Sequence, residues 1–185
     1  DKMLVIDEYT ALQQGQARSY FVWIRPGTTS FRATMTYADP AATPLAAITR
    51  LNSVDLRVSR LLGGTTWWGN NGLVDGNAST SGGVANDLDT TENVWLTNPT
   101  PGIYEIQVSA PTIVQDAKVE TLETDVDYAL VAHPMGGGFH TQPAMQLSLL
   151  ANAPGQLDVQ LTGVPGGWQE GFTLFSLATQ GPKGF

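Results

Sequence analysis

The stretch from Trp67 to Asn93 is the chain's richest in side-chain oxygen: Asn70, Asn71, Asp75, Asn77, Asn86, Asp87, Asp89, Glu92 and Asn93, among glycines at 69, 72, 76, 82 and 83. Oxygens crowded on a Gly-rich loop suit a hard cation such as Ca2+, which takes about six to eight oxygen ligands. Without a cation, carboxylates held together repel one another and their pKa values rise. The spacing lacks the alternating ligands and closing Glu of an EF-hand. Asn, Asp and Gly are also plain turn formers, so a solvated loop accounts for the same residues. A second oxygen-bearing group is Asp39, before Pro40, with Asn52 and Asp55 in Leu51-Asn52-Ser53-Val54-Asp55-Leu56. Asp before Pro is an ordinary turn residue. Asp55 is less ordinary, because an acid inside an apolar strand needs a partner when buried: a backbone N–H, an Arg such as Arg57, or a metal.

Other chemistry has less to stand on. The chain has no cysteine, which excludes disulfides, thiol catalysis and thiolate metal sites. Its two histidines, His133 and His140, flank a run of glycines, and no Gly-x-Ser-x-Gly elbow accompanies them. Zinc would need a third ligand beside that pair. Glu120, Glu123, Asp125 and Asp127 form an acidic run that reads as a solvated loop, with a glycosidase carboxylate pair as the sharper reading. Of the five tryptophans, Trp23 and Trp95 fall in strand-like runs. Trp67-Trp68 is the pair placed to face solvent and stack on a sugar, although adjacent residues of a strand point to opposite faces.

The elements that position these residues are short β-branched and aromatic runs between Gly, Pro, Asn and Asp clusters. Strands are expected over 3–6, 16–24, 31–37, 54–59, 92–96, 102–109 and 127–133. No window holds a 3.6-residue apolar period over three turns. Strands at this spacing predict an all-β protein, a jelly-roll β-sandwich. Pro134-Met135-Gly136-Gly137-Gly138 reads as a flexible break, giving a β domain over 1–133 and a β-rich tail, or the start of a further domain, over 134–185. Strands at 144–151, 157–161 and 172–178 would leave open edges in the tail and favour pairing with a second copy. The ends, Asp1-Lys2-Met3 and Lys183-Gly184-Phe185, suggest a piece of a longer polypeptide.

Composition bounds the partners. Apolar residues make up 42% of 185, enough for a core, while charged residues are only 14% and the net charge is −8. Nine cations offer little positive face for phosphates, so nucleic acid is an unsuitable partner. No run approaches the length of a membrane span.

The ordered motifs Tyr37-Ala38-Asp39-Pro40, Asn52-Ser53-Val54-Asp55-Leu56, Trp67-Trp68-Gly69-Asn70, Asp89-Thr90-Thr91-Glu92-Asn93-Val94, Gly102-Ile103-Tyr104-Glu105-Ile106-Gln107-Val108 and Tyr128-Ala129-Leu130-Val131 cover about residues 1 to 133. Together they resemble the β jelly-roll domain that follows the catalytic domain in a branch of subtilisin-like serine proteases. The resemblance implies a non-catalytic accessory domain of a secreted bacterial endopeptidase, with the triad upstream and that catalytic domain as partner. Such a domain would stabilise the enzyme or help present a substrate protein. Domains of the family can carry calcium, and the positions surviving here are Asp39, Asn52, Asp55, Asp89 and Glu92. Thr90-Thr91 replaces the family's Asn pair, and Asn52-Ser53 loses its first Asp. The alternative is a carbohydrate- or protein-binding β-sandwich module of a secreted protein.

Overall fold

The computed structural model describes residues 3–7, 11–46, 49–73 and 78–137, and the backbone of 139–141, 146–153 and 156–162. Two compact units divide the chain, Asp1–Gln142 and Pro143–Phe185. The first is an antiparallel β-sandwich. One sheet has the order β1-β10-β4-β7, from Leu4–Ile6, Ala129–Gly136, Thr28–Thr36 and Thr91–Thr97. The facing sheet has the order β11-β3-β8-β5-β6, from Phe139–Thr141, Ala17–Ile24, Gly102–Thr112, Ser53–Arg60 and Thr66–Trp68. Two short strands, β2 (Leu12–Gln13) and β9 (Asp125–Val126), pair separately.

Period-two alternation decides which face each strand buries. Phe31, Ala33 and Met35 of β4 point inward, as do Val94 and Leu96 of β7 and Leu130 and Ala132 of β10. They meet Val22 and Ile24 of β3, Val54, Leu56 and Val58 of β5, and Tyr104, Ile106 and Val108 of β8 in one cluster. Phe31 and Tyr104 touch across the sheets with ring centroids 6.2 Å apart. Each fully buried Leu, Ile, Val or Phe contributes about 1.5–3 kcal/mol relative to exposure, so this layer is the main source of stability.

Register gives the sandwich two ends. At one, Thr36 pairs with Thr91 and Ser53 with Thr112. At the other, Ile24 pairs with Gly102 and Arg60 with Tyr104. The chain changes sheet at this second end through Arg25-Pro26-Gly27-Thr28. Gly27 has φ +82° and the Thr28 N–H donates to the Arg25 carbonyl at 3.3 Å. Pro then Gly at the central positions suits a type II turn.

The expected break after His133 is corrected. β10 continues through Pro134, which pairs with Phe31, as far as Gly136. The Gly137 N–H donates to the Gly27 carbonyl at 3.0 Å, and a Cβ on Gly137 would stand 2.3 Å from the Pro26 carbonyl oxygen. β11 then pairs with β3, Phe139 opposite Ile24. These glycines permit two backbones to approach closely rather than supplying a linker, so the first unit extends past residue 133.

In the second unit, β12 (Gln146–Ala153) and β13 (Gln156–Thr162) form an antiparallel hairpin, with Gln146 opposite Thr162 and Ala153 opposite Gln156. The strand expected over 172–178 lies outside the described residues.

Candidate functional site

The polar residues singled out from sequence gather at the end of the sandwich where β4 and β8 finish and β5 and β7 begin. Tyr37 follows β4 and turns inward. Its hydroxyl donates to the Asn52 carbonyl at 2.6 Å, and its N–H donates to the Thr90 carbonyl at 3.2 Å. Burial pushes the phenol up to about 12, which keeps it a donor. Asp39 follows, and its two carboxylate oxygens accept the backbone N–H groups of Leu51 (2.6 Å) and Asn52 (2.9 Å).

Asn52 is 1% exposed and carries the tie onward. Its amide nitrogen donates to the Gln115 carbonyl at 2.8 Å, while its oxygen accepts from Val114 (2.8 Å) and Gln115 (3.1 Å). The segments leaving β4, starting β5 and leaving β8 are thus stitched by protein donors and acceptors. Such a fully satisfied buried network specifies one arrangement of its loops.

A second half of the network closes the sheets' edges. After β6 the Gly69 N–H donates to the Leu56 carbonyl at 2.9 Å. Asn70, with φ +59°, then behaves as an extra strand residue beside β7. Its N–H donates to the Asn93 carbonyl at 2.8 Å, and its side-chain oxygen accepts the Asn93 N–H at 2.8 Å. Asn tolerates this left-handed backbone better than most residues. Glu92, fully buried on the inner face of β7, reaches across the sandwich to accept the Leu56 N–H at 2.8 Å. A Cβ on Gly69 would lie 2.1 Å from that same carboxyl oxygen, so glycine is what lets the two sheets meet here. The other oxygen, Oε1, is buried without a hydrogen-bond partner. Burial pushes Glu92 up to about 8; the Leu56 N–H opposes the shift and Asp55 adds to it.

Arg50 braces the rim. Its Nη1 donates to the Asn86 carbonyl at 2.8 Å and its Nη2 to the Ser53 hydroxyl at 3.2 Å. Ser53 donates to Asp55 at 3.1 Å, and burial raises the Asp55 carboxyl, which is 5% exposed. Asp89 accepts from the side chains of Asn70 (3.0 Å) and Asn86 (2.8 Å).

The structure therefore brings Asp39, Asn52, Asp55, Asp89 and Glu92 to one end, where their hydrogen bonds lock loops and sheets together. Asp39 and Asn52 present their oxygens to backbone N–H groups, and Glu92 faces the sandwich interior. Among the described residues, no group of three or more His, Asp or Glu side chains stands together to hold a metal. Asp75 and Asn77 lie outside the described residues.

The remaining candidates separate. Trp67 packs against the core and stacks on Tyr104 at 6.1 Å and 25°, while Trp68 lies under the Arg57 guanidinium, 5.8 Å from its ring. Arg57 also pairs with Glu105 at 3.6 Å, so Asp55 is partnered by Ser53 instead. His133 pairs in register with Arg32 of one sheet, and His140 with Trp23 of the other. In the acidic run, Asp127 pairs with Lys118 at 3.6 Å and Asp125 accepts from Thr121 at 2.9 Å.

Sequence reasoning passed over Arg50, Asn70 as a strand mimic, and Gly69 as a point of close approach. Asn70 had a readable signal, since Gly-Asn after a strand often marks a left-handed residue. Arg50 had none, because the carbonyl it braces at Asn86 lies 36 residues away in sequence. The chain was compared with protein-family models and with curated proteins, and neither comparison gave a match.

Proposed function

We propose that this chain is a non-catalytic accessory domain of a secreted bacterial subtilisin-like serine endopeptidase, folded as a jelly roll. In this reading it packs beside the catalytic domain of the same polypeptide and stabilises it. One observation carries the reading: the residues of the ordered motifs, Tyr37, Asp39, Asn52, Gly69, Asn70 and Glu92, spend their polar groups on holding loops and sheets together. That use is architectural, and it suits a domain whose role is to stay folded.

Strand order supports the jelly-roll part. Counting only β1, β3, β4, β5, β6, β7, β8 and β10, one sheet reads first, eighth, third, sixth and the other second, seventh, fourth, fifth. Pairing of first with eighth, second with seventh, third with sixth and fourth with fifth is the order of a long hairpin rolled into two sheets. Stabilisation is assigned to the hydrogen-bonded lock. A rigid flank slows unfolding, which is what limits the lifetime of an enzyme exposed to proteolysis.

The test is the coding sequence upstream of Asp1, followed by expression of the parent enzyme with and without this domain. The expected result is an upstream subtilisin-like catalytic domain whose thermal inactivation at fixed temperature becomes several-fold faster when the domain is removed. Any other upstream domain, or an unchanged inactivation rate, defeats the proposal.

A further inference from the structure

At the opposite end from the lock, the sandwich opens into a cleft of about 320 Å3 between the edges of the two sheets. Its floor is the Trp67–Tyr104 stack, and the hydroxyl-bearing Thr65, Thr97 and Thr100 stand at its walls. Among the described residues, Arg60 is the one charged residue lining it. In a protein of net charge −8, a cation at the cleft, the single charge there among the described residues, favours an anion. Arg60 has no carboxylate partner among the described residues. Its guanidinium donates only a long 3.3 Å bond to the Pro101 carbonyl, and its Nε is buried without an acceptor. The guanidinium is therefore held in place by the turn yet left with unused donors, and guanidinium donors match a carboxylate's geometry.

The shape of the neighbouring backbone narrows the ligand. An extended peptide would need a free strand edge to add to. Both edges at this cleft are already used by one segment. The Ser79 N–H donates to the Trp95 carbonyl at 2.7 Å, the Ser79 hydroxyl accepts from the Trp95 N–H at 2.9 Å, and the Gly82 N–H donates to the Thr66 carbonyl at 2.7 Å. What is left for a ligand is a partly buried indole, several hydroxyls and a cation. The volume lies at the small end of ligand clefts, about 300–1,000 Å3, and suits one or two rings.

We propose that this cleft is a binding site for an acidic sugar, with the uronate carboxylate on Arg60, the ring against Trp67 and the sugar hydroxyls on the threonines. The proposal does not depend on the accessory-domain reading. It also places the ligand away from Trp68, whose ring already lies under Arg57.

Titration of the full chain with digalacturonate, followed by tryptophan fluorescence and calorimetry, tests it. Digalacturonate is expected to saturate the site, and its uncharged dimethyl ester to bind about tenfold more weakly, the factor that one charge-assisted contact supplies. Arg60→Gln should bring the acid down to the level of the ester. Ala78→Trp, which adds a large side chain to the cleft lining, should abolish binding of both while the melting curve is kept. Four outcomes overturn the proposal: equal binding of acid and ester, no effect of Arg60→Gln, tighter binding of an acetylated tripeptide with a free C-terminal carboxylate, or no binding up to about 10 mM sugar.

Discussion

Glu92 is the residue whose chemistry departs furthest from its sequence appearance. An isolated acid beside Asp89 and Asn93 reads as a ligand. Yet Thr91-Glu92-Asn93-Val94-Trp95-Leu96 alternates, and its period puts Glu92 on the same face as Val94 and Leu96. Periodicity therefore contained the answer, and residue type argued against it. The Leu56 N–H that donates to its carboxyl lies in the other sheet, and nothing local in the sequence announces that contact. The consequence is a stability that depends on pH. A carboxyl raised from 4.5 to about 8 on folding holds its proton more tightly in the native state. Stability from this group is complete below pH 4.5 and is lost as pH rises through 8, at up to about 1.4 kcal/mol per pH unit. Asp55, also raised, pushes in the same direction. Glu92→Gln retains an acceptor for the Leu56 N–H and carries no charge. Urea unfolding at pH 5, 7 and 9 should show the variant matching the natural chain at the lowest pH and exceeding it at the highest. Parallel curves would show that Glu92 does not titrate in this window.

At the scale of elements, the long strands were legible because alternation over seven or more residues leaves little choice of face. β3, β4, β5, β7, β8 and β10 all fall where β-branched and aromatic runs put them. The strands missed, β2, β6, β9 and β11, have two or three residues each, too few for a period to register. They exist because a partner strand offers its edge, and that is a property of the tertiary fold. Glycine was the other source of error. Gly136-Gly137 has the composition of a flexible joint, but its backbone lies against the β3–β4 turn. Gly137→Ala places a methyl about where the Pro26 carbonyl oxygen now sits, so one of the two segments must move. The expected cost is about 1–3 kcal/mol in urea unfolding. A neutral effect would return this corner to the status of a linker. Gly27 is the control: it has φ +82° but open space around its Cα, so its cost comes from the backbone alone.

For the molecule as a whole, the sandwich class was legible from strand spacing, while the position of the boundary was not. A chain ended after Gln142 keeps every strand of the first unit. It should melt as that unit does in the full protein. A chain ended after His133 loses β11 and the last residues of β10, uncovers the edge of β3, and should melt lower by about 5 °C or more. Equal midpoints by circular dichroism would restore the earlier boundary. The lock end was legible as a group of residues but not as an arrangement, since the ties that join its loops, such as Asn52 to Gln115 and Glu92 to Leu56, link positions remote in sequence. The pairing of β1 with β10, Leu4 opposite Ala132, sets an order in time. During synthesis β4 is made early and its neighbour β10 late, so one side of β4 stays bare while roughly a hundred residues emerge. Rolled β topologies of this kind fold slowly because their contacts span long stretches of chain. The nascent domain therefore presents an unpaired strand edge until β10 emerges, and the scarcity of charge that lets the finished sheets pack gives that edge little protection against a neighbouring copy.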